Sequence, residues 1–243
     1  MADVAVFSTP CSACQAARSD RREKGHYVKI GVLGATGPAG RGLAARLSAV
    51  GYDVLAGSRE RQKAEVVVSE LAAEWGDRVS RITPANNQAA CDADVVVLAV
   101  HADAALATAK YFADQLSGKI VVSMANHLEK HGTEFNAVLP PHGSIAKEMQ
   151  AMLWRSEVVT AFHLVPAAEF ANLDQKMESD VVACGNDDHA RHTLMEIISA
   201  IPDLRAFDGG SLENAVGMET FAAVLLTINI RHKVRAGLRL SGF

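Results

Sequence analysis

The pattern of apolar and polar positions divides the chain into short strands that alternate with longer helices. Short runs rich in Val, Ile and Leu predict buried strands at 27–34, 52–56, 79–82, 94–100, 119–123 and 158–162. Apolar residues recurring at spacings of three and four predict helices at 37–50, 60–75, 104–116 and 144–154. Because such alternation builds βαβ units, we expect an α/β fold with a doubly wound parallel sheet over residues 28–165.

The rhythm changes after Pro166. Strands are predicted at 180–184 and 204–207, with a helix at 187–201 between them and a long helix over 211–234 at the end. The last helix is apolar nearly all round, so it must bury more than one face. We therefore expect residues 166–243 to form a small C-terminal α+β domain for substrate contacts, whose last helix makes a homodimer.

Composition narrows the class of partner. Lys plus Arg number 24 against 28 for Asp plus Glu, so a general attraction to nucleic acid or to an anionic membrane has no support. No apolar run reaches the roughly 18 residues of a membrane span. We expect a protein of the reducing cytoplasm, with Cys91 and Cys184 as small buried side chains.

Residues 1–27 are expected to form a mobile extension that is not a secretory signal, since a mixed charged stretch follows a short apolar run. The pair Cys11 and Cys14 has the spacing of a redox pair or of half a metal site, but no second pair accompanies it. His127 and His131 have the spacing of two zinc ligands on one helical face. An irregular, mobile active-site loop with no metal is the expectation there.

A glycine-rich turn joins the first predicted strand to the first helix. Glycines in this place allow a tight turn and the close approach of a pyrophosphate to the helix N-terminus, as in the Rossmann fold. The spacing departs from G-x-G-x-x-G, and a tight turn alone would also explain it, but its position in a βαβ unit favours a dinucleotide site. The candidate contacts are Gly34, Thr36, Gly37, Pro38, Ala39 and Gly40.

The end of the second strand indicates which dinucleotide is bound. NAD sites usually place Asp or Glu there, to accept the ribose 2′-hydroxyl. This chain has Ser58 and Arg59, with Lys63 on the next turn. A hydroxyl and a guanidinium bind a 2′-phosphate by charge-assisted hydrogen bonds, whereas a carboxylate would repel the phosphate. NADP(H) is therefore predicted, and the alternative is a solvated basic helix start.

Five sequence blocks arrive in an order and spacing that one known family shares. The first two are residues 34–40 and 57–63, and the most specific is VTAFHLVPAAEFANL at 159–173. Residues 182–188 and 208–214 follow it. Over about residues 28–230 the chain thus resembles the NADPH-dependent reductases of coenzyme F420, or F420:NADP oxidoreductases.

The resemblance implies a two-domain dimer that transfers a hydride directly between NADPH and the deazaflavin ring of F420, a small-molecule redox co-substrate. Carried over by position, Val100 flanks the nicotinamide ribose, and the stacked rings are lined by His163, Val165 and Ala167. Residues Thr36 to Ala39, Ser58, Arg59 and Lys63 hold the NADP phosphates. Val165 can only pack, whereas His163 can place a hydrogen bond or a proton near the ring, or merely satisfy a buried strand end.

The chain also departs from the family pattern. Glu169 stands where the family commonly has Arg, Val216 lies where a basic residue is expected, and His101 replaces a proline. A basic C-terminus between Arg231 and Arg239 either substitutes for the lost cations or solvates a helix end. Two other functions therefore stay open: a non-catalytic NADP(H)-binding redox sensor, and an NADPH-dependent ferric or flavin reductase.

Overall fold

A computed structural model describes residues 28–243. Its strands are β1 (Lys29–Leu33), β2 (Asp53–Ser58), β3 (Ile82–Asn86), β4 (Val95–Leu98), β5 (Ile120–Ser123), β6 (Leu128–His131), β7 (Glu134–Ala137), β8 (Glu157–Thr160), β9 (Ser179–Gly185) and β10 (Leu204–Asp208). Its helices are α1 (Pro38–Ala49), α2 (Arg61–Trp75), α3 (Asn87–Ala90), α4 (Ala102–Tyr111), α5 (Ala113–Leu116), α6 (Ile145–Met152), α7 (Ala167–Phe170), α8 (Asp188–Ala200) and α9 (Ala215–His232).

Eight of these strands form one sheet in the order β10-β9-β8-β5-β4-β1-β2-β3. Neighbours are parallel throughout, except that β8 and β9 are antiparallel. The chain moves outward in one direction from β1 to β3 and in the other from β4 to β8, so the strand order reverses between β1 and β4. This confirms the doubly wound parallel sheet, and the crevice at such a reversal is where these folds bind ligands.

The apolar runs of the sequence form the central strands of the sheet, where both faces are covered by other side chains. All four residues of β4 are buried, and apolar side chains pack above and below it in two large clusters. Aliphatic side chains and small residues fill most of these clusters, in keeping with an aromatic content of only 5%. Cys91 and Cys184 are free and buried, as predicted.

The part after Pro166 continues the same sheet. β9 joins β8 through an antiparallel step, with Thr160 opposite Cys184, and β10 then runs parallel to β9. The C-terminal helix is present as α9, and a short 3₁₀ turn at Leu212–Asn214 precedes it. The boundary predicted near residue 165 therefore coincides with a change of strand direction within a continuous sheet. The division into two domains stays a prediction.

Three local predictions were wrong. The third strand is Ile82–Asn86, because residues Gly76–Val79 form a 3₁₀ turn that ends α2. The helix predicted over 104–116 is interrupted at Phe112, which separates α4 from α5. The irregular loop expected around His127 is a hairpin of β6 and β7, and its Phe135 amide donates to Thr227 Oγ1 of α9 at 2.9 Å.

Residues 1–27, with Cys11 and Cys14, lie outside the described residues. Within residues 28–243 no helix combines the length and the apolar character that crossing a membrane requires.

Candidate functional site

The predicted site residues all follow strands that are neighbours in the sheet. Parallel strands β8, β5, β4, β1 and β2 end at one common edge. After β1 comes the glycine-rich turn, after β2 comes Arg59, and after β4 comes Val100. His163 and Val165 follow β8. The sheet therefore brings both halves of the predicted site to its carboxyl edge, where α/β proteins bind their ligands.

The glycine-rich turn is packed too closely for side chains. A Cβ on Gly34, which has φ +86°, would lie 2.5 Å from the Ala99 carbonyl oxygen and 2.8 Å from Val100 Cγ1. A Cβ on Gly40 would lie 2.4 Å from the Gly34 carbonyl oxygen. Glycine thus lets α1 begin directly against the end of β1, with Val100 beside the turn. The role of Val100 at the nicotinamide ribose stays a prediction.

The start of α1 offers donors to an anion. Gly37 is the N-cap, and Pro38 at the first position has no amide hydrogen. The amides of Gly34 and Ala35 donate to the Gly57 carbonyl at 3.1 and 3.0 Å, which holds the turn against β2. Within residues 28–243 the first-turn amides of Ala39 and Gly40 have no acceptor. This arrangement fits a phosphate at the helix N-terminus.

The residues after β2 differ in how they are paired. Ser58 is buried at the strand end, and Lys63 Nζ lies 2.7 Å from Glu60 Oε1. Arg61 is paired with Glu65 at 3.0 Å. Arg59 is exposed and has no ion pair or hydrogen bond to a described residue. Of the predicted phosphate contacts, Arg59 is therefore the cation best placed to receive a new anion.

Arg59 lies on the rim of a cleft of about 420 Å³ that sequence reasoning missed. The cleft runs between the ends of β2 and β3 and the helix α4, and it is lined by Arg59, Asn86, Asn87, Gln88, Ala104, Ala107, Thr108, Tyr111 and Phe112. Asn87 Oδ1 is buried there without a hydrogen-bond partner. The run of three amide side chains at the end of β3, Asn86 to Gln88, was the available signal. Its size and polar rim suit the adenosine end of a dinucleotide.

His163 lies in a sharp turn after β8. Phe162, just before it, has a left-handed φ of +66°, and the imidazole is hydrogen-bonded through Nε2 to Thr160 Oγ1. Burial lowers the pKa of His163 to about 4, against a smaller opposing effect of the Met124 backbone. Of the three roles left open for His163, delivering a proton near neutrality is disfavoured, because water is excluded from this imidazole. His163 is neutral at pH 7.

The segment that follows His163, residues 164–175, is anchored to α1 by one buried side chain. Arg46 donates to the carbonyls of Phe170, Asn172 and Gln175 at 2.8, 2.7 and 3.0 Å. Gly42, one turn earlier, makes room: a Cβ there would lie 2.7 Å from the Phe170 carbonyl carbon. The helix that begins at the glycine-rich turn therefore also positions Val165 and Ala167.

Glu169, one of the three predicted departures from the family pattern, lies in an ion pair. Glu169 Oε1 lies 2.5 Å from Arg235 Nη1, so the carboxylate that replaces Arg is neutralised by the C-terminal segment. Arg239 lies 3.6 Å from the buried Asp180, and Arg231 is paired with Glu134. These three cations of the basic C-terminus thus bind carboxylates of this chain.

The histidine pair is not arranged as metal ligands. His131 ends strand β6 and His127 precedes it, and four residues of extended chain span about 13 Å. His127 Nε2 lies 3.8 Å from Asp103, and His131 Nε2 lies 3.4 Å from Glu129. Within residues 28–243 no three His, Cys, Asp or Glu side chains are grouped to hold a metal ion.

Comparison with known proteins agrees with this geometry. Residues 29–127 match the family model described as NADP oxidoreductase, coenzyme F420-dependent. The F420-dependent NADP reductase of Methanocaldococcus jannaschii is 36% identical over 220 residues, which cover 88% of this chain and 98% of that protein. The metalloreductase STEAP3 of Rattus norvegicus is 28% identical over 82% of this chain, but the match spans only 37% of that protein.

A solved structure shows the same fold. It is that of an Arthrobacter sp. FB24 protein described as a candidate F420-dependent NADP-reductase. The two chains superpose with a TM-score of 0.72 at 23% identity, over 86% of this chain and 96% of the other. The sheet and its helices are therefore shared across most of both proteins.

One buried carboxylate ties α9 to the same edge of the sheet. Glu219 accepts hydrogen bonds from the Ile145 and Ala146 amides, at 2.7 and 3.0 Å, at the N-terminus of α6. Ser144 completes this cap by accepting from the Lys147 amide at 3.1 Å. Burial raises the pKa of Glu219 to about 7, although the two backbone hydrogen bonds oppose the rise.

This raised pKa predicts a pH-dependent stability. The protonated form of Glu219 is favoured in the folded chain, so its contribution is complete below the unfolded pKa of about 4.5 and is lost as the pH rises through about 7. Between about pH 5 and pH 8 the free energy of unfolding of the wild type should fall by about 2 kcal/mol more than that of Glu219→Gln. Urea denaturation at both pH values measures the difference.

Glu213→Gln is the matched control, since Glu213 is exposed and its carboxylate also contacts α6, through an ion pair with Lys147 at 2.8 Å. This variant should keep the pH dependence of the wild type. An equal pH dependence in the wild type and Glu219→Gln would show that Glu219 does not titrate in this range.

Proposed function

Because the chain belongs to the family of F420-dependent NADP reductases, we propose that it transfers a hydride between NADPH and the deazaflavin ring of coenzyme F420. The observation that carries the proposal is the common edge at which the sheet brings together the glycine-rich turn, Arg59 and the His163 turn. Arg46 then holds the segment after His163 against α1, the helix that follows the glycine-rich turn.

The residues present fit NADP(H). The turn at Gly34 and Gly40 has no room for side chains, and the free amides at the start of α1 suit the diphosphate. Ser58 and Arg59 are placed for the 2′-phosphate, with Lys63 available if it leaves Glu60. When bound, NADPH supplies the hydride. The other predicted contacts are Thr36, Gly37, Pro38, Ala39 and Val100.

The chain's own contribution is orientation and the exclusion of water. Direct hydride transfer between two rings needs no protein nucleophile, but the donor and acceptor carbons must be held close together. Val165 and Ala167 offer small apolar surfaces on which a ring can pack, and Arg46 fixes the segment that carries them. His163, neutral and buried, is suited to a hydrogen bond with a ring edge.

The test is hydride transfer itself. Purified full-length protein mixed with NADPH and oxidised F420 should bleach the deazaflavin absorbance while NADPH is consumed in equal amount. Parallel reactions with free flavin and with a ferric chelate cover the reductase alternative, for which the STEAP3 similarity is the specific observation. No turnover with any acceptor, together with tight NADPH binding, would favour the redox-sensor alternative.

Arg59 should decide the selectivity for NADPH over NADH. Arg59→Gln removes the unpaired guanidinium and should raise KM for NADPH about tenfold or more, because a charge-assisted hydrogen bond to phosphate is lost. KM for NADH should change less than twofold. Arg61→Gln, which breaks only the exposed pair with Glu65, is the matched control and should behave as the wild type. Equal effects of Arg59→Gln on both cofactors would contradict the assignment.

We also propose that the chain forms a homodimer through α9, in the cytoplasm that the composition suggests. Phe221, Val224 and Ile228 lie on one face of α9 and are 38%, 51% and 38% exposed. The opposite face is buried against Leu164, the β6–β7 hairpin and the C-terminal segment. An apolar face of this kind on a long helix is typical of a subunit interface.

Val224→Glu should dissociate this dimer, since it places a charge in the centre of the apolar face. Sedimentation velocity at micromolar concentration should show a dimer for the wild type and a monomer for the variant. Val66→Glu, on the exposed side of α2, is the control and should remain dimeric. A monomeric wild type would contradict the proposal.

A further inference from the structure

The chain turns back on itself after α9 and returns to the sheet. Lys233, just beyond the helix, has a left-handed φ of +52° and ends it. The Asn229 side chain then accepts a hydrogen bond from the Ala236 amide at 2.7 Å, which holds the reversed chain against the last turn of α9. The C-terminal segment, residues 234–243, is thereby directed toward β9.

The C-terminal segment lies along an edge of β9 that β8 leaves free. β8 pairs with β9 only opposite Cys184 and Gly185, near the end of that strand. At its start, the Ser179 amide donates to the carbonyl just before β10 at 3.2 Å, whereas the Asp180 amide donates to the Leu238 carbonyl at 2.8 Å. Because successive amides of a strand point to opposite edges, Leu238 lies on the side of β9 where β8 would otherwise continue.

A buried carboxylate fixes the register of this contact. The Asp180 side chain is fully buried, and Arg205 donates to its two oxygens at 2.7 and 2.6 Å. The Leu240 amide donates to the same carboxylate, and the Leu240 carbonyl accepts from Arg205 at 2.7 Å. Since a buried charge is costly without its partners, these hydrogen bonds hold the C-terminal segment in one position on β9.

The C-terminal segment also packs against the turn that follows β8. Leu164 lies between His163 and Val165, which are the predicted contacts of the reacting rings, and it belongs to a small buried apolar cluster with α9. Ala236 and Leu238 of the C-terminal segment pack against this cluster. The packing around Leu164 is therefore shared between α9 and the C-terminal segment.

Two further contacts bring the C-terminal segment beside the acceptor residues. An added Cβ on Gly237 would lie 3.9 Å from the Leu164 carbonyl oxygen, so the two backbones pass close to each other. Arg235 reaches Glu169 of α7 at 2.5 Å. The C-terminal segment therefore contacts the 164–175 segment at its start and in α7, whereas α1 holds its later carbonyls.

We propose that Leu238 is a positioning residue for hydride transfer, which acts through Leu164 to hold Val165 in place against a bound ring. The inference rests on the proposed function and deepens it. Val165 can only pack, so its distance from the ring is set by the backbone that carries it. Without the Leu238 side chain the cluster has a cavity into which Leu164 relaxes, and Val165 moves with it. The reacting carbons are then held less closely together.

Leu238→Ala should lower the rate of hydride transfer about tenfold, because a small shift of one packing surface already misaligns the two rings. KM for NADPH should change less than twofold, since the glycine-rich turn and Arg59 follow other strands, β1 and β2. Leu238→Met, which keeps the volume of the side chain, should restore the rate.

The rate is measured in single turnovers, with the NADPH-loaded full-length protein in saturating excess over oxidised F420. Under this condition the bleaching of the deazaflavin reports only on folded molecules, so an inactive fraction does not mimic a slower transfer. Phe243→Ala is the matched control. It removes a side chain from the end of the same segment, where the ring lies 5.0 Å from that of Phe207 in β10, and should behave as the wild type.

The position of Val165 can be followed without turnover. In methyl NMR of the full-length protein, the Val165 signals are those that disappear in Val165→Ala. They should shift in Leu238→Ala, return toward the wild-type positions in Leu238→Met and stay unchanged in Phe243→Ala.

The inference is overturned by Val165 signals that do not move in Leu238→Ala, by an unchanged single-turnover rate in that variant, or by an equal loss of rate in Phe243→Ala. Should Leu238→Ala fail to fold, Leu238→Val replaces it, with shifts and a loss of rate in the same direction. A wild type that transfers no hydride to F420, but whose Val165 signals move in Leu238→Ala, would overturn the proposed function and leave the role of Leu238 supported.

Discussion

The arrangement of the site depends on the hydrogen bonds that Arg46 donates to three backbone carbonyls. Its guanidinium is buried, and that burial lowers its pKa, yet its partners are the peptide oxygens of Phe170, Asn172 and Gln175, with the Phe170 ring 5.4 Å away. Neutral carbonyls satisfy its planar fork of donors, and the Asp203 carboxylate opposes the effect of burial on its pKa without bonding to it. Arg46 belongs to α1, which follows the glycine-rich turn, whereas the segment it binds follows β8. One side chain therefore sets the distance between the proposed NADPH contacts and the proposed acceptor contacts. Hydride transfer depends on that distance more than on any acid or base.

Two glycines of α1 allow the close approach that these hydrogen bonds need. Gly40 lets the first turn of α1 touch the end of β1, and Gly42 lets the backbone of the 164–175 segment approach α1 closely. A larger residue at either position would meet backbone, which cannot rotate away as a side chain can. The helix is therefore pressed against a strand end at its start and against the acceptor segment at its middle, and Arg46 closes the contact one turn later. Close packing at Gly40 and Gly42 and the hydrogen bonds of Arg46 thus both lie on the side of α1 that faces the site.

The parts of the fold that the sequence predicted correctly are those set by local pattern. The run Asp94 to Val100 indicates a strand covered on both faces, and β4 is the most buried part of the sheet. The β6–β7 hairpin could not be predicted, since its strands are exposed and polar and depend on α9, almost a hundred residues later, for the bond from Phe135 to Thr227. The lowered pKa of His163 could not be predicted either, because burial is a property of the fold and not of the residue. The cleft beside Arg59 needed the juxtaposition of β3 and α4 to become visible.

Charge is distributed unequally between the two halves of the site. The chain has a net charge of −4, and three arginines near its C-terminus are each paired with a carboxylate of the chain itself. Arg59, in contrast, makes no ion pair or hydrogen bond with a described residue, although its charge acts on the neighbouring Glu60. Positive charge is therefore free at Arg59, where the 2′-phosphate is proposed to bind, whereas Arg235 on the proposed acceptor side is paired with Glu169. Under the proposed function, an acceptor with an anionic tail would therefore depend mainly on ring packing against the small apolar side chains Val165 and Ala167 and on hydrogen bonds at the edge of its ring.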